Sequence, residues 1–134
     1  MSDVIAERWR RHRYPRYAHD CTHPSRLRTA AAWMGIDAPP TGTARVLELG
    51  CAAGDNLIPM AARLPDARFV GVDLNEDAIA LGKQWAHELA LDNLTLLAGD
   101  VRAIPLHGEP YDYIIVHGLW SWVPDDVQHH ILAL

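Results

Sequence analysis

Three carboxylates mark three apolar runs of this chain. Glu48 sits inside the first, VLELG; Asp73 closes the second, RFVGVD; Asp100 closes the third, LLAGD. Gly50 and Gly54 bracket a turn of small residues, Cys51, Ala52 and Ala53. Such a turn lets backbone N–H groups approach a ligand without a side chain in the way. An acid within an apolar strand is costly unless paired. Glu48 therefore points to a polar ligand, or to a partner among the N-terminal arginines or backbone amides. Asp73 stands where a carboxylate accepts from both hydroxyls of a ribose, although it can equally cap the helix that begins near Asn75. Asp100 reads as a ligand contact or as a loop aspartate. His117 follows a fourth apolar run in HGLWSWVP. Its imidazole can orient a substrate or accept a proton near neutral pH, or it is a satisfied structural histidine.

These groups need elements to hold them. Val46, Leu47 and Leu49 are apolar and β-compatible, as a buried parallel strand should be. Residues 55–64 read as a helix, with Pro59 tolerable near its first turn and Pro65 ending it. Residues 68–73 form a second strand, and Asn75 caps a helix reaching about residue 90, with Glu76 and Asp77 in its first turn. Ile79, Ala86, Leu89 and Ala90 make its expected buried face. Residues 94–98 and 111–116 are the third and fourth strands, separated by a loop. An aromatic loop over 117–123 leads to a last helix from Pro124 through Leu132. Ahead of all this, residues 3–12 read as a short helix broken at Tyr14-Pro15. Residues 22–34 form a better one, capped by Thr22 or His23 and ended by Gly35, with Leu27, Ala30, Ala31 and Met34 as an apolar stripe. Strands alternating with helices or loops imply an α/β fold, and right-handed crossovers make its sheet parallel.

The chain has 134 residues, about half of them apolar, enough for one domain with a real core. No apolar run approaches the ~20 residues that span a bilayer, and the N-terminus lacks a secretory h-region, which points to the cytoplasm. Two cysteines do not make a disulfide framework, and the histidines show no zinc spacing, so no metal is expected. Residues 1–45 carry eight arginines against four acids, whereas residues 46–134 carry four basic residues against thirteen acids. An acidic body argues against a broad nucleic-acid surface. The arginines at positions 8, 10, 11, 13 and 16 read as a solvated face or as partners of that body.

The run ARVLELGCAAG resembles motif I of class I S-adenosylmethionine-dependent methyltransferases, an acid-x-Gly-x-Gly-x-Gly pattern closing the first strand. Ala52 replaces the middle glycine, which implies a slightly tighter fit. The dinucleotide fingerprint G-x-G-x-x-G needs glycines where Ala52 and Asp55 stand, which disfavours an NAD-linked oxidoreductase. Three longer blocks, YPRYAHDCTHPSRL, VLELGCAAGDNLIPMA and YDYIIVHGLWSWVP, look like bacterial methyltransferases that carry a C-terminal methyltransferase regulatory domain. Asp55 departs from the small residue expected after Gly54. An Asn or Asp followed by two prolines and an aromatic is absent after the fourth strand, which lowers DNA-base amino methylation.

The resemblance implies a Rossmann-like parallel sheet of order 3-2-1-4, stopping before strands 5–7. It implies an N-terminal helical segment, residues 1–43, covering the cofactor site, and an S-adenosylmethionine-binding α/β domain over 44–134. It carries cofactor binding onto Glu48 (methionine amino group), Gly50, Cys51, Gly54, Asp73 and Leu74 (ribose side), Asp100 (adenine amino group), Val101 (a ring nitrogen) and His117. Tyr14, Tyr17 and His23 follow as secondary contacts, and His117 is the catalytic candidate. The reaction implied is in-line displacement of the sulfonium methyl by an acceptor nucleophile. A small molecule or protein is favoured as acceptor over nucleic acid. The alternative is a non-catalytic cofactor-binding or interaction fragment, self-associating through an exposed strand-4 edge.

Overall fold

The computed structural model describes residues 16–103 and 108–134. The helix expected over 3–12, Tyr14 and the arginines before residue 16 lie outside the described residues.

Four strands, β1 (Arg45–Leu49), β2 (Arg68–Asp73), β3 (Leu94–Ala98) and β4 (Tyr113–Ile115), form one sheet of order β3-β2-β1-β4, every pair parallel. β1 is central because it is apolar on both faces. Alternation along it sends Val46 and Glu48 to one side, Leu47 and Leu49 to the other. Val46 joins Leu57, Met60, Phe69, Ile79, Leu96, Tyr113 and Ile115 in one core cluster. Leu47 and Leu49 join Val72, Val101, Val127 and Ile131 in a second. The first layer is therefore packed by α2 (Leu57–Arg63) and α3 (Glu76–Glu88), the second by α4 (Asp125–Leu132). Helices on opposite faces of a parallel sheet are what right-handed crossovers produce.

α1 (Pro24–Trp33) precedes the sheet, after a 3-10 turn at Asp20–Thr22. His23 caps it, its ring accepting from the Ser25 N–H, with Pro24 in the first turn. Its C-terminus is a Schellman turn: Ile36 N–H bonds the Ala31 carbonyl and Gly35 N–H the Ala32 carbonyl, with Gly35 at φ +75°. The expected apolar stripe is not buried as a unit. Leu27 packs on the first core cluster, but Met34, past the last helical residue, is 76% exposed.

α2 begins later than expected, because Asp55 and Asn56 belong to the turn and spend their side chains elsewhere. α3 stops at Glu88 rather than near 90. Leu89 is 56% exposed, and Ala90 takes the left-handed position, φ +52°, of a second Schellman turn. The buried face of α3 is made by Ile79, Gly82 and Ala86. β4 is shorter than 111–116, since the Asp112 side chain turns back to accept from the Arg45 N–H at 2.7 Å. No helix among the described residues is long and apolar enough to cross a membrane.

Candidate functional site

The C-terminal ends of β1, β2 and β3 bring Glu48, Asp73 and Asp100 to one edge of the sheet, around the turn from Gly50 to Gly54. The turn is tied inward. The N–H groups of Gly50 and Cys51 bond the Val72 carbonyl at 2.8 and 3.1 Å, and that of Gly54 bonds the Cys51 carbonyl at 2.8 Å. Ala52 N–H donates to Asp73 Oδ2 at 2.8 Å. The glycines therefore serve tight folding as much as ligand approach: Gly50 at φ +77° lies beneath Leu119, whose Cβ would stand 3.2 Å from any Cβ added there.

Glu48 is only 4% exposed. Its Oε1 accepts from Asn56 Nδ2 at 2.8 Å, while Oε2 is buried without a partner among the described residues. Burial pushes its carboxyl up to about 7; the Asn56 bond opposes this, and Asp73 and Asp55 add to it. An orphaned buried carboxylate oxygen costs stability unless something cationic or hydrogen-bonding arrives.

Asp73 is half-buried. Besides Ala52, its Oδ1 accepts from the Asn75 N–H at 2.8 Å, so it also performs the helix-entry role open to it from the sequence. Burial raises its pKa against the lowering effect of bonds from Asn75, Ala52 and Leu74. A carboxylate offers about four lone-pair sites, which leaves capacity for ligand hydroxyls. Leu74 is half-buried beside it. Asp100 is held by Arg102 through side-chain bonds and the Arg102 N–H, and these hold its carboxyl down at about 2. Arg102 also pairs with Asp126 on α4. Val101 faces the second core cluster.

The Cys51 thiol is buried, and burial pushes its pKa well up, so it behaves as a small core residue. His117 is exposed at the end of β4, its ring tilted against that of His19 with centroids 3.8 Å apart. His23 spends its ring on Ser25 at the head of α1. Tyr17 is exposed and packs edge-on against His19, centroids 4.8 Å apart.

Residues 16–23 cross the site as a strap. Arg16 pairs with Asp55 at 3.1 Å and lies 3.9 Å over the Trp85 ring. Asn56, 5% exposed, accepts from the His19 N–H at 2.8 Å and donates to Thr22 Oγ1 at 2.9 Å. Sequence reasoning missed Asn56, Thr22 and Arg102. The available signal was Asp55, out of character after Gly54, which proves to be the anchor for Arg16.

A parallel sheet whose first three strands end in carboxylates around a glycine turn defines a Rossmann-like nucleotide-binding domain. Residues 46–133 match the family described as a methyltransferase domain, and the chain belongs to it, among the class I S-adenosylmethionine-dependent methyltransferases. Two curated relatives come from Rickettsia prowazekii. Uncharacterized protein RP789 is 42% identical over 90% of this chain and 22% of its own length. Uncharacterized protein RP028 is 35% identical over 90% of this chain and 48% of its own. PKMT2 from Rickettsia typhi, solved in complex with AdoHcy, superposes with a TM-score of 0.83 at 36% identity, over 90% of this chain and 23% of that one. The chain thus spans at most about half the length of these relatives.

Proposed function

We propose that this chain carries the cofactor-binding part of a methyltransferase, moving a methyl group from S-adenosylmethionine to an acceptor of unassigned identity. The observation that carries the reading is the buried, half-partnered carboxylate of Glu48 beside the glycine turn, with Asp73 at the next strand end. A ligand with a cationic amino group, vicinal hydroxyls and an exocyclic amine suits Glu48, Asp73 and Asp100 in that order. Gly50, Cys51, Gly54, Leu74 and Val101 would shape the walls between them. When bound, S-adenosylmethionine supplies an electrophilic sulfonium methyl.

The protein's share of such a reaction is positioning. Glu48 and Asp100 take the two ends of the donor's polar frame, and Asp73 its middle. Of the N-terminal segment expected to cover the site, the strap does so through Arg16, His19 and Thr22, whereas residues 38–43 lie at the other end of the strands, where the Pro39 carbonyl accepts from the Tyr113 hydroxyl. His117, exposed just after β4 with its ring tilted against that of His19, is the group we assign to the acceptor side. A protein or small-molecule acceptor suits the acidic body better than nucleic acid does. The cytoplasm suits its two free cysteines.

One observation favours a second reading. β4 is an edge strand, and Ile114 on it is 37% exposed. A cofactor-binding module that pairs through β4 would bind the cofactor without turnover and assemble with concentration.

Calorimetric titration with S-adenosylhomocysteine tests the main reading, with NAD and an Asp73→Ala variant as controls. Micromolar binding that NAD does not reproduce and the variant loses is expected. No binding by a folded, monodisperse sample overturns it.

A further inference from the structure

We propose that Asn56 is a positioning residue that couples the strap, residues 16–23, to the carboxylate of Glu48, so that docking of the strap decides which carboxylate oxygen is offered to the ligand. The inference rests on the cofactor reading above and assigns a role within the same site.

The hydrogen-bond arithmetic supports it. A side-chain amide has two N–H donors and one accepting oxygen. Both Asn56 donors are used, on Thr22 Oγ1 and on Glu48 Oε1, and its oxygen accepts from the His19 N–H. Thr22 gives its own hydroxyl proton to the His19 carbonyl at 2.8 Å, so its oxygen is free to accept. Turning the amide over would set its NH2 against the His19 N–H, donor against donor. The His19 backbone, which belongs to the strap, thereby fixes the face Asn56 shows to Glu48. With Oε1 held, Oε2 is the oxygen left for a cation. The strap is itself fastened outside this network, by Arg16 on Asp55 and Trp85 and by the His19 ring on that of His117. The other titratable groups acting on Glu48 are Asp73 and Asp55, and Glu48 acts in turn on the Cys51 thiol. The nearby acids repel a bare carboxylate, so an orienting donor matters here.

Two measurements test the coupling. The first needs no ligand: carboxyl-carbon NMR titration of Glu48, with amide exchange at His19, in wild type, Asn56→Ala, Thr22→Val, Arg16→Ala and Trp85→Leu. Loss of the Asn56 donor should move the Glu48 midpoint upward. Arg16→Ala loosens the strap but also unpairs Asp55, so it is read beside Trp85→Leu, which removes the platform under Arg16 and changes no charge; both should move that midpoint upward while His19 exchange quickens. Thr22→Val keeps the test open if Asn56→Ala does not fold. Strap variants that speed His19 exchange and leave the Glu48 midpoint in place overturn the proposal.

The second measurement compares S-adenosylhomocysteine with 5′-methylthioadenosine, which lacks the amino-acid end. Asn56→Ala and Thr22→Val should lose about tenfold in affinity for the first, roughly what one charge-assisted hydrogen bond provides, and little for the second. Equal losses for both ligands would mean general loosening and would also overturn the proposal. If wild type binds neither, the cofactor reading fails, while the ligand-free titration still decides whether the strap sets Glu48.

Discussion

The backbone N–H of Ala52 donates to Asp73 Oδ2 at 2.8 Å, tying the turn after β1 to the end of β2. Oδ1 of the same carboxylate accepts from Asn75. An amide side chain has one accepting oxygen and cannot serve both N–H groups. Asp73→Asn, though isosteric, should therefore lose about 1–3 kcal/mol of stability, measurable by urea denaturation. Affinity changes in that variant mix fold and ligand effects. Altering the ligand separates them: removing one ribose hydroxyl from S-adenosylhomocysteine should weaken binding to wild type about tenfold and to Asp73→Asn far less. Equal losses in both proteins would take the ribose away from Asp73.

Glu48 sets a pH dependence of opposite sign for stability and for binding. Its folded pKa, about 7, lies above the ordinary 4.5, so between those values the native state holds the proton more firmly than the unfolded chain. Stability contributed by this group is present below pH 4.5 and is lost as pH rises through 7, by an amount on the order of 3 kcal/mol. Glu48→Gln keeps an acceptor for Asn56 without the charge. It should match wild type near pH 4.5 and exceed it by about 2–3 kcal/mol near pH 8 in denaturant titrations. Cofactor affinity should run the other way, rising in wild type from about pH 6 to pH 8 as the proton leaves, and flat in the variant. A wild-type affinity independent of pH would remove Glu48 from the ammonium's neighbourhood.

Much of this domain was legible in the sequence because strand patterning is local. The four apolar runs and their terminal acids follow from β-compatible residues closing on Gly, Asp or His, and the parallel sense of the sheet follows from crossover handedness, whereas its 3-2-1-4 order is implied by the family resemblance alone. Helix ends were less legible where the chain breaks its own rules. Ala90 terminates α3 in a conformation that usually announces itself as glycine, so the helix reads too long. The Asn56 network was illegible for a different reason. It joins positions 19, 22, 48 and 56, from the strap, β1 and the turn, and no periodicity links them. The exposure of Met34 likewise depends on where α1 lies against the sheet, which its apolar spacing does not reveal.

Ala52 and Ala90 are the non-glycine residues with positive φ among the described ones, at +50° and +52°. A left-handed L-residue costs roughly 1–2 kcal/mol, and glycine recovers this at an unfolded-state entropy cost of about 0.4–1 kcal/mol. Ala90→Gly and Ala52→Gly should each stabilise by up to about 1 kcal/mol, read from denaturation midpoints. Ala52→Gly keeps the N–H that Asp73 accepts, so cofactor affinity should not fall. A clear loss of stability in either variant would show that the alanine methyl is packed to advantage.

Arg102 holds Asp100 and Asp126 together, joining the loop after β3 to the first turn of α4. It keeps the Asp100 carboxyl at about 2 instead of the ordinary 3.8. A depressed folded pKa gives stability that is present above 3.8 and lost as pH falls through about 2. Arg102→Gln should therefore be less stable than wild type near neutrality, with the gap closing as both are taken through that acid window. A gap that persists at the acid end would assign the effect of Arg102 to packing instead.

Gly82 lets α3 lie directly on the glycine turn. A Cβ at this position would stand 2.2 Å from the Ala53 carbonyl oxygen and 2.7 Å from Leu96 Cδ1. The first of these is backbone at the centre of the site and has little room to yield. Alanine gains about 1 kcal/mol in helix propensity, against an overpacking cost of about 3 kcal/mol or more. Gly82→Ala should thus lose about 2 kcal/mol net and weaken S-adenosylhomocysteine binding, because relief of the clash moves the segment that carries Ala52. Gly42→Ala is the control, since a Cβ there meets nothing within 4 Å. If Gly82→Ala lost stability with affinity unchanged, α3 would support the fold without setting the turn, and the cofactor geometry would rest on the strand ends alone.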